Sequence, residues 1–218
     1  MLKNRFLRRG SLPLLATIVS AISPQAAVFW NETGSPGGSD LSTIRTAPST
    51  FTFQTADTHS LIGSVGPGDL QDFLTITIAN GFQLNSLVLA SYVSTDQQGF
   101  IGVQSGSNVD PNFGVSASGY MGYVHFGNVI ENMVGVDILP KMGNTSVYAV
   151  GAAGFTPPLP AGTYAFVIQQ ASGTLTSYQF NYGVTAVPEP HSQAAIALLC
   201  VGGYLLKRGM ARRKATTA

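Results

Sequence analysis

The sequence predicts an all-β fold, an antiparallel β-sandwich over residues 51–186, and three observations carry that prediction. Short segments alternate apolar and polar side chains with the period of two that a pleated strand imposes. Turn-forming residues punctuate those segments at short intervals. The same region is rich in Gly, Ser, Thr and aromatic residues, nearly empty of Lys and Arg, and shows no credible helical pattern between residues 50 and 186.

The elements follow in order. Gly34 to Ser39 and the Ser/Thr-rich run to Thr50 read as a flexible lead-in, residues 28–50. Phe51-Thr52-Phe53-Gln54 opens the strands. In Phe73 to Ile78, Leu74, Ile76 and Ile78 share one face while Thr75 and Thr77 share the other. Asn80-Gly81 supplies a turn signal into Leu84–Val93. Phe100–Gln104, Tyr120–Phe126, Met133–Leu139 and Ser146–Val150 are further strand candidates. The clearest alternation comes last, in Tyr164-Phe166-Ile168 and Tyr178-Phe180-Tyr182-Val184. No internal repeat is evident.

The net charge of +1 hides three regions. Lys3, Arg5, Arg8 and Arg9 give the N-terminus +4. Residues 27–187 hold nine acids against Arg45 and Lys141, a sum of −7. From Pro188 onward, five bases and Glu189 give +4. A basic patch for nucleic acid is thus absent from the part that folds, and no nucleic-acid partner is expected. Cys200 is the one cysteine, so no intramolecular disulfide forms, and it reads as a small apolar residue of the C-terminal stretch.

Residues 1–27 read as a signal peptide. Lys3 to Arg9 form its positive region, Leu12 to Ile22 an apolar helix of 11 residues, and Ser23 to Ala27 a small-residue exit with cleavage after Ala26 or Ala27. At the other end, Val187-Pro188-Glu189-Pro190 precedes the apolar Ser192–Leu206 and then Lys207, Arg208, Arg212, Arg213 and Lys214. Those 15 residues make about 22 Å of helix against a hydrocarbon core of about 30 Å, so they read as a short transmembrane helix. The bases behind it form a cytoplasmic stop, which places the acidic domain on the far side.

This order of a Pro-Glu-Pro motif, a short apolar helix and a basic tail over residues 187–214 resembles the PEP-CTERM sorting signal of Gram-negative, biofilm-forming bacteria. The resemblance implies that an exosortase, a membrane-embedded cysteine protease, recognises Pro188-Glu189-Pro190 after the secretion machinery has exported the chain. Prolines on both sides hold Glu189 extended and deny it a helix, which suits binding as a strand.

A second likeness lies in the middle. Asp69-Leu70-Gln71-Asp72-Phe73-Leu74-Thr75-Ile76, Leu159-Pro160-Ala161-Gly162-Thr163-Tyr164 and Tyr178-Gln179-Phe180 resemble the bacterial pre-peptidase C-terminal domain. That implies a jelly-roll-like sandwich over about residues 55–186, flanked here by the signal helix and the C-terminal helix. Residues 106–147 do not match that family's pattern.

Chemistry is sparse. The chain has no Gly-x-Ser-x-Gly, His-Glu-x-x-His or Cys-x-x-Cys. Gly63 to Gly68 reads as a glycine turn, with Pro67 and the missing helix arguing against a nucleotide. His125 reads as a strand residue, His59 beside Asp57 as part of a solvated polar turn, and His191 belongs to the sorting segment. Asp69 and Asp72, with Asp57 or Asp96, offer oxygens of the kind Ca²⁺ takes, but no Asp-x-Asp-x-Asp loop is present. Solvated turn aspartates are the reading taken, with no catalytic residue, cofactor or metal. Tyr92, Tyr120, Tyr123 and Trp30 are candidates to stack on sugars, though core packing accounts for most of them.

The expectation is therefore a non-enzymatic surface or extracellular-matrix protein. It crosses the inner membrane, is anchored transiently or stably by the C-terminal helix, and ends at the cell surface or outside the cell. The alternatives are a secreted polysaccharide-binding module and, behind it, a secreted hydrolase.

Overall fold

Alternating side chains need two environments, and the fold supplies them by stacking two sheets. The structure is a computed structural model and describes residues 26–34, 37–96, 98–110, 116–127, 132–170 and 174–188. Its strands, in chain order, begin with β1 (Ala27–Asn31), β2 (Ser49–Phe53), β3 (Thr58–Val65), β4 (Gln71–Ile78) and β5 (Phe82–Val93). They continue with β6 (Gly99–Ser105), β7 (Gly122–Phe126), β8 (Gly162–Gln169) and β9 (Thr176–Ala186). The only α-helix among the described residues is α1 (Leu139–Gly143). One sheet runs β1-β3-β9-β5 and the other β2-β4-β8-β6-β7.

The all-β, sandwich-like expectation holds, with one change to its pairing. The inner ladders are antiparallel, but β1 lies parallel to β3 and β2 parallel to β4, so both sheets are mixed. The parallel strands are the two first in the chain, and each takes an outer edge.

Aromatic side chains from the two sheets meet in the interior. Phe126 stands edge-on to Phe180 with centroids 5.1 Å apart, and Phe166 to Tyr182 at 5.8 Å. Leu61, Leu74, Ile76, Leu89 and Ile168 close the space around them, all with no exposed surface. A second, smaller apolar cluster covers the outer face of the five-stranded sheet, where Phe73, Ala165 and Val167 lie under Val109 and Tyr120.

The strands expected over 51–54, 73–78, 84–93, 100–104, 120–126, 164–168 and 178–184 are present within a few residues. Two others are not. Over Met133–Leu139, Gly135 takes φ of 81° and the Val136 amide donates back to the Met133 carbonyl, so the chain turns instead of extending. The segment still covers the free edge of β5: the Gly135 and Ile138 amides donate to the Leu89 and Leu87 carbonyls. Pro140 at the start of α1 then suits a helix. Over Ser146–Val150, the Tyr148 and Ala149 amides both return to the Asn144 carbonyl, which makes turns.

Within the expected lead-in, residues 28–50, several described residues are packing anchors. Phe29 on β1 packs edge-on against Phe51 at 4.8 Å and Phe53 at 5.2 Å, bridging the two sheets, and Leu41 is 2 % exposed. The polar composition hid these few apolar anchors. β3 was hidden by its own Gly63 and Ser64, which read as turn residues yet sit in a strand paired on both sides.

The signal peptide up to Gln25, Glu189, Pro190, His191, Cys200, the apolar C-terminal stretch and the basic cluster from Lys207 to Lys214 lie outside the described residues. Among the described residues, no helix is long and apolar enough to cross a membrane.

Candidate functional site

Four acids from three separate stretches of sequence converge at one end of the sandwich. Glu32 follows β1, and its amide extends the β1–β3 ladder by donating to the Ile62 carbonyl at 3.1 Å. That places its carboxylate beside β3, where Oε2 accepts from the Ser64 amide at 2.5 Å and the Ser64 hydroxyl at 3.2 Å. Glu32 Oε1 accepts from the Leu41 amide at 3.3 Å. Buried Leu41 thereby fixes its neighbour Asp40 near Glu32.

Asp69 closes a tight turn in which its amide donates to the Gly66 carbonyl at 2.9 Å. Its carboxyl feels that of Asp40, which favours its protonated form. Asp72 is the second residue of β4 and shares the inward face with Leu74, Ile76 and Ile78. Carboxylate oxygens of Glu32, Asp40 and Asp72 all lie within 4.8 Å of one another.

Tyr178 reaches Asp72 from the opposite sheet. Its hydroxyl donates to Asp72 Oδ2 at 2.5 Å, the short distance typical of an O–H donor on a carboxylate. Space for that phenol comes from Gly63, its register partner on β3. A Cβ at Gly63 would collide with the Tyr178 hydroxyl and lie 3.0 Å from Glu32 Oε1. The glycine is there for room, not for an unusual backbone.

Burial and crowding push protons onto Asp72, Glu32 and Asp69. Asp72 has no exposed surface, and its pKa rises to about 9: burial dominates, the Tyr178 bond opposes it, and Glu32, Asp69 and Asp40 add like charge. Glu32 is raised to about 7, chiefly by burial, against the bonds from Ser64 and Leu41. Asp69 is raised to about 6 by partial burial and by Asp40. Tyr178 is held well above its ordinary range by burial and by Asp72. Such a cluster at neutral pH either retains protons or shares a cation.

The expectation of solvated turn aspartates fails for Asp72, which is enclosed in the sandwich interior. It fails because Asp72 stands at an inward position of β4 rather than in the turn before it. Asp57 and Asp96 are not in the cluster. Asp57 Oδ1 accepts from the Thr58 amide at 2.7 Å where the chain enters β3, and the Asp96 carbonyl accepts from Tyr92. The true companions, Glu32 and Asp40, come from the stretch expected to be a lead-in.

His59 is likewise not in a solvated turn. It lies in β3 with its ring stacked on Phe53 at 4.3 Å, and its Nε2 is buried without a partner. His125 is a strand residue on β7, as expected. Of the aromatic residues considered for sugars, Tyr92 and Tyr120 are buried. Trp30 packs on Phe51, and Tyr123 stacks on Phe100 on the other sheet, so the four form no common platform. Of the sorting motif, Val187 and Pro188 are described and leave the end of β9, with the Val187 amide donating to the Gly81 carbonyl at 2.8 Å.

No family model matches this chain, and no curated protein matches it.

Proposed function

We propose that this chain is an exported, non-enzymatic surface or extracellular-matrix protein whose C-terminal signal of PEP-CTERM type is processed by an exosortase-type membrane protease. The observation that carries the reading is the seam at Val187. The last described strand ends at Ala186 and the Val187 amide closes it onto Gly81, so the described strands all precede Pro188-Glu189-Pro190. A protease acting at the motif would cut outside those strands. The first strand starts at Ala27, next to the small-residue exit of the signal peptide, so the domain begins where export processing would end.

The two stacked sheets agree with the sandwich that the pre-peptidase C-terminal likeness implies, while the parallel β1–β3 and β2–β4 pairs depart from an antiparallel jelly roll. A non-enzymatic role is favoured because the acids that converge include Asp72, which solvent does not reach. A polysaccharide-binding role is the second reading, favoured by Tyr123 stacked on Phe100 beside exposed His125. Pulldown on polysaccharide with Tyr123→Ala as control decides it.

The test of sorting is mass spectrometry of the mature C-terminus in cells that possess an exosortase. The native chain should lose the segment after the motif, and Glu189→Ala should retain it. A native chain that keeps residues 191–218 overturns the proposal.

A further inference from the structure

We propose that Glu32, Asp40, Asp69 and Asp72 form a binding site for a divalent, oxygen-seeking cation of the calcium class. The site stands on geometry and does not depend on the sorting signal. Two oxygens bound to one Ca²⁺ at about 2.3–2.6 Å lie at most about 4.6–5.2 Å apart. The oxygens of Glu32, Asp40 and Asp72 fall inside that span, all within 4.8 Å of one another, and Asp69 adjoins them through Asp40.

An acidic cluster alone does not make a site, and a second observation points at the ligand. Asp72 is wholly buried, and its Oδ1 has no hydrogen-bond partner, while its Oδ2 is taken by Tyr178. Asp69 Oδ1 is also enclosed and without a partner. A buried carboxylate oxygen without a donor is costly, and Asp72 Oδ1 and Asp69 Oδ1 find none among the described residues. A cation at the centre satisfies both orphaned oxygens and removes the repulsion together.

The surrounding bonds orient the ligands in the way outer-shell groups orient a metal site. Tyr178 holds Asp72, Ser64 holds Glu32 through its amide and hydroxyl, and the Leu41 amide holds the other Glu32 oxygen. All these donors are neutral. Lys141, one of two bases between residues 27 and 187, is engaged with Tyr148 at 3.0 Å.

Calcium fits better than magnesium. Mg²⁺ demands near-octahedral geometry, keeps several waters and is usually held by one or two carboxylates, whereas Ca²⁺ accepts six to eight oxygens in flexible geometry. Three or four carboxylates supply a good part of that shell, with backbone or water oxygens for the rest. The ligands come from the β1–β2 segment, the Gly66–Asp69 turn and β4, so the ion would staple the N-terminal strand to the body of the sandwich.

The test uses the full chain, purified in detergent and stripped with a chelator, in thermal melts and calorimetric titration. CaCl₂ should bind saturably with a dissociation constant of about 1 mM or tighter, the range of extracellular modules. It should raise Tm by about 5–10 °C at about 100 times that constant. MgCl₂ at equal concentration should give a clearly smaller shift.

Asp72→Asn should melt at or above the metal-free native protein yet lose the calcium shift, and Glu32→Gln should weaken binding at least tenfold. Absence of saturable binding to about 10 mM Ca²⁺ in folded protein overturns the site. So does native affinity in both variants. Equal shifts with the two ions overturn the calcium assignment.

Discussion

The Tyr178 hydroxyl on β9 donates to Asp72 Oδ2 on β4 at 2.5 Å, and this bond ties the two sheets together across the interior. The two residues are 106 positions apart, so the contact exists only in the finished fold. Among the described residues it is the only donor to the buried acid.

Tyr178→Phe removes that donor and keeps the ring. The loss leaves both Asp72 oxygens without a partner, at a cost of about 1–3 kcal/mol. Urea unfolding of the metal-free protein should show it. The same substitution made in Asp72→Asn should cost measurably less, because the two sites are coupled. Equal costs in both backgrounds would mean the bond does not form.

Leu41→Ala tests whether the stretch before residue 51 belongs to the domain. Leu41 is 2 % exposed, and truncating a buried leucine costs about 2–5 kcal/mol. A flexible lead-in would lose nothing. Denaturant midpoints distinguish the two directly.

Asp137→Ala probes the cover on the edge of β5. Asp137 Oδ1 accepts from the Leu87 amide at 2.9 Å and from the Leu139 amide at 3.1 Å, joining β5 to the start of α1. Its removal should destabilise by about 1–3 kcal/mol and speed hydrogen exchange at Leu87. Unchanged exchange at that amide would contradict the assignment.

The pH dependence of the metal-free protein should run opposite to ordinary acid unfolding. Native Asp69, Glu32 and Asp72 hold their protons up to about 6, 7 and 9, whereas the unfolded chain releases them near its ordinary carboxyl range of about 4. Between those limits the native state binds more protons, so stability falls as pH rises. The groups facing Asp72 are Tyr178, Glu32, Asp40 and Asp69. Urea midpoints in chelator should decline from about pH 5 to about pH 9, and saturating Ca²⁺ should abolish the decline. Midpoints that rise over this range would exclude the burial described here.

Much of the fold was legible in the sequence, because period-two alternation in Phe73–Ile78, Tyr164–Ile168 and Tyr178–Val184 reports a buried face directly. The same rule, carried two residues back from Leu74, places Asp72 inward. It was missed because an aspartate beside a glycine turn reads as solvated. Glu32 and Asp40 were not legible at all, since only the parallel pairing of β1 with β3 brings them to β4. β3 itself was obscured because Gly63, a turn residue by composition, is there to make room for the Tyr178 phenol. Met133–Leu139 failed as a strand because one glycine, Gly135, turns the chain.

The most direct measurement is a carbon-detected NMR titration of the Asp72 carboxyl in the full chain, first with chelator and then with saturating Ca²⁺. The account predicts a midpoint near 9 without the ion and an ionised carboxylate across the neutral range with it. A midpoint near the ordinary aspartate value of about 4 in both conditions would contradict it.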